Sequence, residues 1–131
     1  MKISEIFFSI QGESSYAGLP CIFIRLAGCN LKCEYCDTAY AQDLEQGCEM
    51  SIEDIMHEVK KFKCNMVEIT GGEPLIQDEA VLLIKKLLAK KYKVLLETNG
   101  TISLKPIDKR VVKIMDIKTP GSGFSYCADR I

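Results

Sequence analysis

Four apolar runs, Cys21–Ala27, Met66–Thr70, Val94–Thr98 and Val111–Lys118, share one irregularity. In each, a single parity turns polar toward the C-terminal end: Arg25, then Glu68 and Thr70, then Glu97, then Asp116 and Lys118. The other parity stays apolar, with Ile24 and Leu26, Val67 and Ile69, Leu96, and Met115 and Ile117. A strand buried on both faces is apolar almost throughout. Because successive side chains point to opposite faces, the polar set must share one side and the apolar set the other. The pattern predicts a curved sheet or part-barrel with a polar interior at its C-terminal mouth, the place where such folds put their chemistry. An open sheet with polar edge positions is the alternative reading of the same alternation.

The segments between the runs support an α/β class. Ser51 is a good N-cap for a helix with Ile52, Ile55, Met56 and Val59 on one face and Asp54 in its first turn. Ala80, Leu83, Ile84, Leu87 and Leu88 mark a second amphipathic helix, whose outer face carries Lys85, Lys86, Lys90 and Lys91. Ahead of these, Lys2–Phe8 reads as a short strand, followed by a polar break at Ser9–Ser15 and a turn at Gly18-Leu19-Pro20. A repeating strand–loop–helix order predicts parallel strands joined by crossover helices. With 131 residues, the chain is expected to form a single domain with a real core.

The first of the four runs delivers the chain to Cys29-Asn30-Leu31-Lys32-Cys33-Glu34-Tyr35-Cys36, a C-x3-C-x2-C loop. Three thiols this close can converge on one metal centre. A structural zinc site takes four protein ligands, usually as two separated pairs, and an electron-transfer iron–sulfur cluster likewise takes four cysteines. Three with no obvious fourth suggest a four-iron cluster with one open iron, and a zinc site or a disulfide is the competing reading. Formal net charge is −1, which advertises neither a nucleic-acid nor a membrane partner. No apolar stretch is long enough for a bilayer span, and the signal-peptide pattern is absent, so the expectation is cytoplasmic. In such a reducing compartment seven cysteines point to metal or redox chemistry. Cys21 and Cys64 read as small core residues, Cys48 and Cys127 as non-ligands in polar loops, and His57 as a solvated helix residue.

Two further strand ends carry chemistry. Gly71-Gly72-Glu73-Pro74 exposes backbone groups at a point where a ligand can approach closely, and Glu73 adds a carboxylate suited to an ammonium. A plain tight turn is the alternative. Glu97-Thr98-Asn99-Gly100-Thr101 offers polar groups able to hold hydroxyls such as those of a ribose.

The cysteine loop together with Thr70-Gly71-Gly72-Glu73-Pro74 resembles the radical S-adenosylmethionine (SAM) superfamily. Within it, Ser9-Ile10-Gln11-Gly12-Glu13, Phe23–Cys29, Cys36-Asp37-Thr38 and Glu97–Thr101 resemble the 7-carboxy-7-deazaguanine synthases of queuosine and deazapurine biosynthesis. The resemblance implies a radical SAM lyase that converts 6-carboxy-5,6,7,8-tetrahydropterin to 7-carboxy-7-deazaguanine with loss of ammonia. It implies a [4Fe-4S] cluster, SAM and Mg2+, and a fold of the partial (β/α) barrel type. Cys29, Cys33 and Cys36 would hold three irons, and reductive cleavage of SAM on the fourth would give a 5′-deoxyadenosyl radical. Tyr35, Cys36, Asp37, Gly72, Glu73, Asp116, Ile117 and Lys118 fall where SAM contacts are expected, although 116–118 depart from the usual residues. Ile10, Gln11, Gly12, Arg25 and Thr70 match the substrate positions, Arg25 offering a planar fork for a carboxylate or a pterin edge. Thr38 matches the magnesium ligand.

The resemblance covers the N-terminal two-thirds of such enzymes, so the expectation is a C-terminally truncated domain lacking the last strands. The uncovered edge of the fourth run would then favour a homodimer. Flavodoxin or ferredoxin is the implied electron donor. Two other classes remain open: a sibling such as a glycyl-radical activase, and an inactive metal-binding remnant or interaction module.

Overall fold

The computed structural model describes residues 1–123, and Cys127 lies outside them. Six strands form one sheet: β1 (Lys2–Ile10), β2 (Pro20–Leu26), β3 (Cys48–Glu49), β4 (Met66–Gly71), β5 (Lys93–Thr98) and β6 (Val112–Met115), in the order β3-β1-β2-β4-β5-β6. Strands β2, β4, β5 and β6 run parallel, as the four apolar runs predict. β1 and β3 extend the sheet antiparallel beyond β2. The result is a partial (β/α) barrel carrying an antiparallel edge.

Helices α1 (Ile52–Lys61) and α2 (Glu79–Ala89) cover one face. α1 starts at a capping box: Asp54 N–H donates to Ser51 Oγ at 3.1 Å, and Ser51 N–H donates to Asp54 Oδ2 at 3.3 Å. Ile55, Met56 and Val59 of α1, with Leu83, Ile84 and Leu87 of α2, bury against Ile22, Ile24, Leu26, Val67, Ile69, Val94 and Leu96. This is the apolar parity of the strands.

One crossover departs from expectation. No helix joins β5 to β6; residues 99–111 make the passage as turns, with Ile107 N–H bonded to Leu104 O and Val111 N–H to Asp108 O. Gly100 and Pro106 break helical continuity there. Ile102, Leu104, Ile107 and Val111 nonetheless pack into the helix-side core, so the loop performs a helix's covering role. β6 is also shorter than the run Val111–Lys118, leaving Asp116 and Lys118 beyond its end.

The opposite face has its own apolar floor. Cys21, Phe23, Met66 and Leu95 cluster there, with Phe7 stacked on Phe23 at a centroid distance of 5.0 Å. Above that floor, toward the C-terminal ends of the parallel strands, the side chains become polar.

Candidate functional site

A cavity of about 440 Å³ opens above the floor, and all three loop cysteines border it. The loop is hung on backbone bonds from two sides. Gly28 and Cys29 donate to Ala41 O at 2.8 Å and Gln42 O at 3.0 Å, while Gly72 and Glu73 donate to Leu26 O at 3.2 Å and Gly28 O at 2.9 Å. Gly72 is required by this last contact: a Cβ there would lie 2.2 Å from the carbonyl oxygen of Gly28. The glycine pair therefore zips β4 to the cysteine loop as well as exposing backbone to the cavity.

Cys29, Cys33 and Cys36 are free and half-buried. Among the described residues no three His, Cys, Asp or Glu side chains close on a single metal ion. Such an ion holds its sulfur ligands about 2.3 Å from one point, whereas a cubane takes three thiolates at three separate corners. Three thiols around one cavity rim are the donor set that a cubane takes at three of its corners. Cys29 already accepts a backbone N–H from Leu31 at 3.4 Å. Burial pushes its thiol pKa up, the Leu31 N–H opposing. Cys21, deep in the floor, is pushed to about 12 chiefly by burial, which keeps it an unreactive thiol. Cys64 is half-buried, its thiol bonded to Pro20 O at 3.3 Å. Cys48 is exposed in β3 rather than in a loop. His57 is solvated, its side chain 75% exposed.

The wall facing the cysteines is built by strand alternation. Arg25, Glu68, Thr70 and Glu97 all reach the cavity. Arg25 Nε donates to Glu5 Oε1 at 2.8 Å, and Tyr40 Oη donates to the same oxygen at 2.7 Å. Glu5 reaches this face because β1 shifts register between Ile3 and Glu5, where one extra residue reverses the alternation. Ile3 therefore enters the helix-side core while Glu5 meets Arg25. Thr70 Oγ1 donates to Glu97 Oε2 at 2.7 Å. Gln11 Nε2 donates to Glu68, which is 3% exposed. Burial, reinforced by the neighbouring Glu97 carboxylate and opposed by the Gln11 bond, pushes Glu68 up to about 7. Glu5 and Glu68 were not singled out as site residues from the sequence. The polar parity of its strand flags Glu68, while the register shift that brings in Glu5 leaves no local mark.

Of the residues expected to contact SAM, Tyr35, Cys36, Asp37, Gly72, Asp116 and Lys118 border the cavity. Lys118 pairs with Asp116, its Nζ lying 5.9 Å from the Tyr35 ring centroid. Ile117, on the opposite parity, is 57% exposed and outside the lining. Glu73 is 0% exposed and lies outside the cavity lining, its carboxylate turned to protein partners. Its oxygens accept from Leu75 N–H at 3.1 Å, Thr98 Oγ1 at 2.9 Å and Asn99 N–H at 2.8 Å. Thr98 and Thr101 both donate to protein partners, and Thr98 and Asn99 also border the cavity. Of the substrate positions, Gln11, Gly12, Arg25 and Thr70 line the cavity, while Ile10 is 66% exposed and lies outside the lining. Thr38 borders the cavity, its hydroxyl donating to Asp37 Oδ1 at 3.1 Å.

The sequence pattern of the radical SAM superfamily matches residues 23–117. The chain is 53% identical over 123 residues to the 7-carboxy-7-deazaguanine synthase of Chlorobaculum tepidum, covering 94% of this chain and 55% of that protein. It is 50% identical over 125 residues to the enzyme of the same name from Koribacter versatilis, covering 94% and 54%. The fold superimposes on the crystal structure of QueE from Escherichia coli with a TM-score of 0.76 at 28% identity, covering 87% of this chain and 59% of that one. The chain thus spans about half the length of the curated relatives it matches.

Proposed function

Since the chain belongs to the radical SAM superfamily, we propose that it acts as a 7-carboxy-7-deazaguanine synthase, converting 6-carboxy-5,6,7,8-tetrahydropterin to 7-carboxy-7-deazaguanine with loss of ammonia. The observation that carries the reading is that one cavity is lined by the three thiols together with Gln11, Arg25, Thr70 and Glu97. Its volume of about 440 Å³ suits a small molecule. A glycyl-radical activase, whose substrate is a protein backbone, is the poorer match to a cavity of this size and polar lining.

Cys29, Cys33 and Cys36 would hold the cluster. Such a cluster would supply the electron for reductive cleavage of SAM. The chain's own part is positioning. Arg25, braced by Glu5, presents a charged fork to the substrate carboxylate. Gln11 and Glu97 offer donors and acceptors of the kind a pterin edge presents, with Thr70 fixing Glu97. Gly72 brings backbone close to SAM, and Tyr35, Asp37, Asp116 and Lys118 ring the same mouth. Thr38 would ligate Mg2+, a hard cation that keeps several waters and needs few protein oxygens. A flavodoxin or ferredoxin as electron donor, a homodimeric assembly and a cytoplasmic location belong to the same proposal.

The test is anaerobic reconstitution with iron and sulfide, followed by turnover with 6-carboxytetrahydropterin and mass detection of the deazapurine. Product formation dependent on SAM supports the reading. SAM cleavage without deazapurine points to a sibling enzyme, and absence of a cluster to a binding remnant.

A further inference from the structure

We propose that Asn99 is a positioning residue for the iron–sulfur group: its side-chain amide donates an N–H···S hydrogen bond to Cys29 and so raises the reduction potential of the cluster bound there. The inference rests on the cluster reading of Cys29, Cys33 and Cys36 but not on the identity of the substrate.

Asn99 stands at the end of β5 and is 5% exposed. Its backbone N–H is held by the buried Glu73 carboxylate at 2.8 Å. Its side-chain orientation follows from chemistry: Oδ1 accepts from Thr101 N–H at 3.0 Å and Thr101 Oγ1 at 2.6 Å. Reversing the amide would set its NH2 against the Thr101 N–H, donor against donor. Nδ2 is therefore directed at the cysteine loop, 3.1 Å from Asn30 Oδ1 and 4.0 Å from Cys29 Sγ. Asn30 is fixed in turn, its Nδ2 donating to Thr101 Oγ1 at 2.8 Å. Asn99, Asn30 and Thr101 thus close a ring of hydrogen bonds beside one ligand sulfur.

Cys29 receives the Leu31 backbone N–H from its own loop and the Asn99 amide from a strand end 70 residues away. A thiolate in a cluster carries more negative charge than a thiol and draws N–H donors more strongly. Reduction adds another electron to the cluster, so donors to its sulfurs stabilise the reduced state over the oxidised one. Such outer partners also orient the ligand itself. The Glu73 strut extends this chain of support: the carboxylate that the sequence suggests as a ligand contact instead holds the backbone of the residue that reaches Cys29.

The experiment compares the anaerobically reconstituted chain with its Asn99→Ser and Asn99→Asp variants. Asn99→Asp keeps the acceptor for Thr101 and exchanges the amide nitrogen for a carboxylate oxygen, whose charge lowers the potential by itself, so where the serine variant fails to fold the nitrogen coupling is the deciding readout. The readouts are the midpoint potential of the cluster, iron release to a chelator, and pulsed EPR of the reduced cluster after 15N labelling of asparagine. Expected are a more negative potential in both variants, iron release about tenfold faster, and loss of a nitrogen hyperfine coupling present in the unsubstituted chain. A merely structural role would lower the melting temperature while leaving potential and coupling unchanged, and that outcome overturns the inference. If the unsubstituted chain binds no cluster, the cysteine reading itself fails and the inference falls with it.

Discussion

At the scale of single residues, Arg25 and Glu68 show opposite ways of keeping charge inside a sheet. Arg25 is paired: its Nε is committed to Glu5, so recognition falls to the terminal fork nitrogens. Lys lacks that fork. Arg25→Lys is expected to weaken substrate binding about 10–100-fold, the range for losing one or two charged hydrogen bonds. SAM affinity should stay within about twofold, because Lys keeps the charge and the fold. Calorimetric titration of both ligands checks this, and equal losses would count against the role. Glu68 is instead held toward its neutral form. Its ordinary value of 4.5 rises to about 7 in the fold, mainly through burial. Between those two values the folded chain keeps a proton that the unfolded chain releases, so stability falls as pH rises through that window. Glu68→Gln should abolish this slope. Urea denaturation at about pH 5 and about pH 8 should differ by on the order of 1–2 kcal/mol in the natural chain and by much less in the variant.

At the scale of elements, the cysteine loop depends on what docks against it. Gly72→Ala would press a methyl group into the Gly28 carbonyl, which is backbone and cannot swing aside. A loss of roughly 2–3 kcal/mol is expected, comparable to overpacking a tight core, together with reduced iron content after reconstitution. Single Cys→Ala changes at 29, 33 and 36 should each abolish a full cluster, whereas those at 21, 48, 64 and 127 should not, as read by iron analysis and SAM cleavage. Retention of a full cluster in Cys33→Ala would overturn the ligand set. The parallel strands and both helices were legible because their burial is periodic: polar Arg25, Glu68, Thr70 and Glu97 share one face, and Ser51 with Asp54 writes its helix start locally. The Glu5–Arg25 pair was not, because a register shift in β1 reverses the alternation by which faces are assigned. The partners of Glu73 were not legible for a related reason. A carboxylate beside two glycines reads as ligand-facing, and its inward turn is decided by Thr98 and Asn99, 25 and 26 residues further along the chain. The helix-free passage from β5 to β6 shows the same limit, since Ile102, Leu104 and Ile107 fill the space that the strand–helix repeat assigns to a helix.

At the scale of the whole molecule, β6 is the exposed margin. It pairs with β5 on one side and with no other strand among the described residues, and its four residues are half-buried. An edge carrying Val112 and Ile114 is a pairing hazard. Self-association through this edge is therefore expected. Light scattering across a dilution series checks it, and a monomer at every concentration would count against it. The bond from Asn99 to Cys29 bears on the same molecule as it is made. The thiol leaves the ribosome 70 residues ahead of the amide that steadies it. At ordinary translation speeds that interval is roughly 4–14 s. For that time the three sulfurs of the loop are displayed on a nascent chain with β5 still unmade, open to oxygen and to each other. Iron–sulfur delivery is then best timed after synthesis has passed this strand, and slowing translation between the two points would raise the fraction of chains lost to oxidation.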